Sequence, residues 1–506
     1  MARSFRSAPP VSLEAAKRSI GADRAGGAGR PGSSSGRARS TTAHGQAALL
    51  NLRDALDWRT TLPALGIVLV TAIAFGGGGV RYGLANLVVQ LAALTICTIY
   101  GGSFFAFWKR APFSLKALVA ASLALPALQA IPLPPDLWSS LPGRSFAVEA
   151  RGIVGGLGWA TFSLDTARTL VALSGLIVPL VILTLGWALP RERLAWLGWL
   201  IVALGCLNVL IGVPQVLSDA RLTSFYPETP MQGVLFGTFA NRNSTGIFLV
   251  AALAFAALLP AARPGRGMLM ARLVACAILL VGVFLTQSRT ALVLAVIPLG
   301  LGMLRAIGAQ LRGGEAGSGG RGGAIAVVAL CAAGVLAVGA LGMSAPGRLG
   351  DTLDRFQSGS DPRAYIWEDS VAATERYWPL GAGMGTFDEV FQIDEALENL
   401  TQRRAGRAHN DYLEVAIEAG LPGLTLIAAW LILLGGMAIR AAPSSMRWTA
   451  WSGAAVLLAI ALQSITDYPL RNQSMLAVGS LALLLLVRGG EPSRTKRRSA
   501  SAEDSA

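Results

Sequence analysis

The sequence predicts an all-α, polytopic integral membrane protein of about twelve transmembrane helices with one large loop on its outer face. Three observations lead there. The 506 residues are 53% apolar and only 14% charged, which is too apolar for a soluble chain of this length. Apolar runs long enough to span a bilayer recur along most of it, joined by short connections rich in arginine. One connection breaks that pattern, because residues 344–421 are long and dense in charge, aromatics and glycine.

Taken in order, residues 1–59 are rich in Gly, Ser, Ala and Arg and contain no apolar signal-peptide core, so they read as a disordered cytoplasmic tail. Residues 60–343 hold the first nine spans, centred near Ile67, Leu94, Leu123, Ile177, Ala203, Ala251, Ile278, Val296 and Val328. The outer loop, residues 344–421, follows. Residues 422–488 hold three more spans, centred near Ile427, Leu457 and Leu483, and residues 489–506 form a basic cytoplasmic tail. Glycine and proline interrupt several spans, which neighbouring helices and tilt accommodate.

With the N-terminus inside, most arginines and every lysine (Lys17, Lys109, Lys116, Lys496) fall on the cytoplasmic side, in both tails and in loops 108–116, 190–193, 263–272, 305–323 and 440–447. Asp and Glu concentrate on the other side, and each short cytoplasmic loop obeys the positive-inside rule. Orientation thus accounts for the formal charge of +14 without a nucleic-acid partner. Cys97, Cys206, Cys276 and Cys331 all lie inside apolar runs, so they read as core residues, with no disulfide framework.

The chemistry points to a few residues. His44 lies in the N-terminal tail, which leaves His409 as the histidine of the folded part, in Arg407-Ala408-His409-Asn410-Asp411-Tyr412-Leu413-Glu414. Histidine exchanges a proton near neutral pH. Asp411 followed by Glu414 predicts a helix start with Asp411 as N-cap and Glu414 reaching back. Gly420 would end that short helix and Pro422 open the next. A capped surface helix with an incidental histidine accounts for the same pattern.

Arg289, in the tight outer turn Thr286-Gln287-Ser288-Arg289-Thr290, would sit beside a helix N-terminus, a seat for phosphate, or would simply snorkel. In the large loop, Arg363 and Trp367 precede the run from Pro379 to Phe387, whose glycines either let backbone approach a ligand or form a plain turn. Asn241 and Asn243, in Gly237-Thr238-Phe239-Ala240-Asn241-Arg242-Asn243, cap the sixth span or touch a ligand. The acidic run Asp388, Glu389, Asp394, Glu395, Glu398 lacks calcium-loop spacing and reads as a solvated helix face. No metal site and no cofactor are expected.

In this order, the Gly237 motif, Ser288-Arg289, Arg363 with Trp367 and the Pro379 run, and His409-Asn410-Asp411-Tyr412-Leu413-Glu414 with Glu418-Ala419-Gly420-Leu421-Pro422-Gly423 resemble the O-antigen ligase and polymerase superfamily of bacterial membrane glycosyltransferases. Asp467-Tyr468-Pro469 fits the same pattern, and the resemblance spans about residues 64–487. It implies transfer of a glycan from an undecaprenyl-pyrophosphate carrier to an acceptor hydroxyl at the periplasmic face of the inner membrane, without metal or nucleotide sugar. The acceptor is a glycolipid, lipid A core, for a ligase, or the growing polysaccharide for a polymerase. By that resemblance His409 is the essential histidine, and Arg289 and Arg363 hold the pyrophosphate. Asn241, Asn243, Arg407, Asn410 and Glu414 are the further candidates for substrate contact.

The ligase reading is slightly favoured over an O-antigen or exopolysaccharide polymerase. A transporter is the competing class. It would place ionisable groups near the bilayer midplane, whereas the spans here are nearly uncharged.

Overall fold

A computed structural model describes residues 58–79, 81–218, 225–226, 231–261, 265–311, 363–400 and 404–491. The predicted ninth span near Val328, the start of the large loop, and nearly all of both tails lie outside the described residues.

The described chain is mostly helical, with one two-stranded antiparallel pair. The helices are α1 (Trp58–Phe75), α2 (Gly83–Ile99), α3 (Gly101–Arg110), α4 (Phe113–Gln129), α5 (Pro135–Ser139), α6 (Ser145–Val154), α7 (Thr166–Gly175), α8 (Ile177–Ala188) and α9 (Leu194–Leu217). They continue with α10 (Arg242–Leu258), α11 (Arg266–Leu285), α12 (Arg289–Leu294), α13 (Val296–Leu311), α14 (Arg363–Tyr377), α15 (Phe387–Asp394), α16 (Asp411–Arg440), α17 (Arg447–Gln463) and α18 (Gln473–Gly490). Strands β1 (Pro132–Leu133) and β2 (Ala160–Thr161) pair antiparallel, Pro132 opposite Thr161.

Every predicted span centre other than Val328 falls within one of these helices. By length and composition, seven helical stretches among the described residues qualify as membrane crossings, or eight if α2 and α3, bent by 82° at Tyr100, count as one. Helices α4 and α10 are apolar but shorter. Helix α7 runs into α8 through Leu176, and α12 into α13 through Ala295, both residues in the right-handed helical region, so each pair counts as one stretch.

Helix α10 is buried on all sides, and α18 nearly so. A helix apolar around its whole circumference belongs at the centre of a bundle or in lipid. Here α10 packs against α9, α11, α13 and α17, while α18 packs against α1, α8 and α17. Large apolar side chains on the periphery, such as Leu84, Ile432 and Ile439, are exposed. On a soluble protein they would be an aggregation liability, whereas a bilayer solvates them.

Polar side chains within the bundle aim at one end. From α9, the buried Gln215 accepts from the backbone N–H groups of Phe236 and Gly237 and donates to the Gly237 carbonyl. Asn208 donates to Thr238, whose hydroxyl donates to the Ile73 carbonyl. These bonds fix the loop that leads into α10. Helices α10, α16 and α18 all begin at this end, capped by Asn241, Asn410 and Asn472. Three positive dipole ends therefore gather where anionic groups would be favoured.

Candidate functional site

His409 has a left-handed backbone, φ +52°, a conformation that costs a non-glycine residue energy. Among the described residues Gln287, beside Ser288 and Arg289, is the other non-glycine with positive φ. Both strained positions thus fall in motifs singled out from the sequence. The helix start after His409 differs from the expectation by one residue. Asn410 is the N-cap, accepting from the N–H groups of Tyr412 and Leu413, and Asp411 is the first helical residue. Asn's amide oxygen caps as well as a carboxylate, and this frees Asp411 to turn inward. Glu414 reaches back as expected, taking the Ala408 N–H at 3.0 Å.

The motifs meet at Thr466 and Asp467, in the turn between α17 and α18. His409 Nδ1 lies 3.2 Å from Asp467 Oδ1, and the Asp467 side chain is 2% exposed. Asn241 donates to the other Asp467 oxygen at 3.2 Å. Arg363 donates to the Thr466 carbonyl at 2.5 Å, and the Thr290 hydroxyl, next to Arg289, lies 3.1 Å from that of Thr466. With Nδ1 turned to a carboxylate, the other ring nitrogen is the one left for a proton transfer. Tyr468 packs against the imidazole, ring centres 5.1 Å apart, and the Arg407 guanidinium stands 5.9 Å over its ring. Burial, together with Asp467, pushes the Tyr468 hydroxyl far above its ordinary pKa, so it stays a neutral wall.

Beneath this turn Arg471 enters a knot of three carboxylates: Glu418 at 2.9 Å, Glu414 at 3.2 Å and Asp411 at 3.3 Å. Burial works against its charge, but Glu418, Glu414 and Asp411 outweigh it and hold Arg471 protonated. Glu414 also pairs with Arg407 at 3.0 Å, and its side chain is fully buried. Glu414 is thus taken up by internal pairing, the Asn410 amide oxygen caps α16, and Asn243 contributes its backbone N–H to the Asn241 cap. Asn241 and Arg407 remain at the rim, half-buried.

The glycine run closes on the chain itself. Ala382 and Gly383 donate to the carbonyls of Ile417 and Glu418, Phe387 donates to the Glu418 carboxylate, and Leu421 donates to Pro379. Gly420, φ +54°, breaks α16 as the sequence predicted, and a Cβ there would meet the Pro379 oxygen at 2.1 Å. Helix α14 then ties the halves together. Arg363 and Trp367, one turn apart on one face, bond Thr466 and the Ala408 carbonyl respectively.

Sequence reasoning missed three things. Residues 129–169 form a platform under the glycine run: Gln129 bridges the Glu418 carbonyl and the Met384 N–H, Leu164 donates to Ala382, and Thr169 donates to Met384. No local pattern announced it. Arg471 lies four residues beyond Asp467, and its positive charge in the short turn between two apolar spans was the available signal. Part of the acidic run is also not a solvated face, since Asp388 pairs with Arg404 at 2.7 Å, Glu389 with Arg168 at 2.7 Å, and Asp394, 5% exposed, with Arg376 at 2.6 Å, whereas Glu398 is exposed. The arginines that neutralise it come from distant segments, which spacing alone does not show.

Among curated proteins no match to the chain is found. Residues 274–428, from within α11 to the first half of α16, match the family described as O-antigen ligase. That stretch holds Arg289, Arg363, the glycine run and His409, and it ends before the Asp467 turn that completes the site. A bundle of apolar helices gathering these motifs at one end, and a family match over the segment that supplies most of them, support the resemblance to the O-antigen ligase and polymerase superfamily.

Proposed function

We propose that the protein transfers a glycan from an undecaprenyl-pyrophosphate carrier to an acceptor hydroxyl at the periplasmic face of the inner membrane, as an O-antigen ligase acting on lipid A core. One observation carries the reading: His409, Arg363, Asn241 and the Arg289 turn, from four separate stretches of chain, converge on Thr466 and Asp467. In the proposed reaction His409 removes the acceptor proton as the hydroxyl oxygen attacks the anomeric carbon. The bond from that carbon to the pyrophosphate breaks, and Arg289 and Arg363, beside the gathered helix N-termini, take up the charge that develops on the leaving group. Asp467 orients the imidazole and stabilises its protonated form, the role a buried carboxylate plays behind a histidine base. Direct displacement inverts the anomeric centre.

The test is release of undecaprenyl pyrophosphate by the purified protein given lipid-linked glycan and lipid A core. His409→Gln, which keeps a hydrogen bond but offers no base, should lower turnover by about a hundredfold to ten-thousandfold. Turnover near that of the unaltered protein at saturating substrate would remove the base role. Deleting the gene separates the two activities of the superfamily. Bare core with polymer accumulating on the carrier supports the ligase, whereas core bearing a single repeat would replace it with the polymerase.

A further inference from the structure

At the end of the bundle opposite His409, two arginines converge without a carboxylate. Arg272 of α11 donates to the carbonyls of Ala257 and Leu259, at 3.3 and 2.6 Å. Arg305 of α13 donates to the same two carbonyls, at 3.2 and 3.0 Å. These carbonyls end α10, whose dipole offers roughly half a negative charge. Two full positive charges share it. Among the described residues no acidic side chain pairs with either arginine.

Both guanidinium groups line a cavity of about 220 Å³, with Ala261, Gly265, Met268 and Leu269 as its remaining walls. Gly265 is the N-cap of α11 and supplies no capping side chain, so the cavity also faces the positive end of a long helix. Trp199 lies 5.3 Å under Arg272, and Trp448 lies 5.9 Å under Arg305. Arginine and tryptophan together mark the headgroup level of a bilayer. Beside the cavity, Met270 and Val274 on α11 and Leu304 on α13 are at least half exposed and apolar, a surface for acyl chains.

We propose that this cavity binds the phosphate of an anionic phospholipid, its headgroup between Arg272 and Arg305 and its chains along α11 and α13. The excess positive charge calls for an anion, and the apolar flanks select a lipid over a free ion. The site lies on the face that the basic-residue distribution assigns to the cytoplasm, remote from the transfer chemistry and independent of it.

The full-length protein in detergent is titrated with dioleoylphosphatidylglycerol, dioleoylphosphatidylcholine and inorganic phosphate. Binding is read by native mass spectrometry and by the fluorescence of the tryptophans beside the arginines. Phosphatidylglycerol should bind roughly tenfold more tightly than phosphatidylcholine, and that preference should vanish in the Arg272→Gln, Arg305→Gln double variant. Met268→Trp, which fills the cavity but leaves both arginines, should also lose the lipid, and it decides the matter alone if the double variant fails to fold. Equal binding of the two lipids, or unchanged phosphatidylglycerol binding in Met268→Trp, overturns the proposal. So does displacement of the lipid by millimolar phosphate, which would mark a free-ion site.

Discussion

Replacing Asp467 by asparagine changes one atom and removes one charge, and its cost can be worked from the geometry. In the proposed reaction the imidazole becomes positively charged 3.2 Å from a carboxylate that is 2% exposed. At an effective dielectric of about 20, Coulomb's law gives roughly 5 kcal/mol for such a pair. The imidazole is 31% exposed, so solvent takes up a good part of that, and about 3 kcal/mol is a fair figure. Each 1.4 kcal/mol is about tenfold in rate, so Asp467→Asn should lower turnover by roughly two orders of magnitude. The amide also presents an N–H₂ group either to His409 or to Asn241, whose own amide already donates to Asp467. With its oxygen kept toward Asn241, the amide donates to His409 Nδ1, and the ring proton then sits on the nitrogen that must act as the base. The assay is undecaprenyl pyrophosphate release at saturating donor, with donor KM measured in parallel. The loss belongs in kcat, since the charge develops only in the transition state. Turnover within threefold of the unaltered protein, at unchanged thermal stability, would refute the reasoning.

Other outcomes follow from the same geometry. Arg471→Met strips the one cation from between Asp411, Glu414 and Glu418 and should destabilise the fold by about 3–5 kcal/mol, read as a lower unfolding temperature in detergent; an unaltered transition would mean that the carboxylates are neutralised by other means. Arg289→Lys and Arg363→Lys keep charge but lose the planar fork, so each should lower transfer at least tenfold in protein that inserts normally, and unchanged activity in both would end the case for paired donors on the pyrophosphate. A cysteine in place of Leu397, which is 83% exposed, should react with an impermeant thiol reagent in intact spheroplasts. Labelling only after lysis would invert the topology.

Apolar helices were legible because arginine flanks the apolar runs, though how many of them cross a membrane was not, and His409 stood out by elimination. The capping pattern located the helix start to within one residue, the error arising because Asn410 and Asp411 are both good caps and only the fold decides which faces inward. Asp467 was visible as part of a motif but not as the partner of His409, because the bond joins residues 58 positions apart. The glycine run was read as open to a ligand or as a turn. Its real use, close approach to the Glu418–Gly420 backbone, depends on a tertiary contact that period and propensity do not encode.

Residues 388–407 leave and re-enter the site at two points one helical turn apart on α16, since Glu418 holds the Phe387 N–H and Glu414 holds the Ala408 N–H. The excursion between them is stapled at its base. Lengthening a loop whose ends are already fixed costs little, only a fraction of a kcal/mol per modest insertion. Around Leu397 and Leu400, both exposed, the chain can thus be extended while His409 stays where it is, giving the fold an adaptable part beside a fixed site. Under the proposed reaction, a fixed frame of this kind accommodates acceptors of very different bulk.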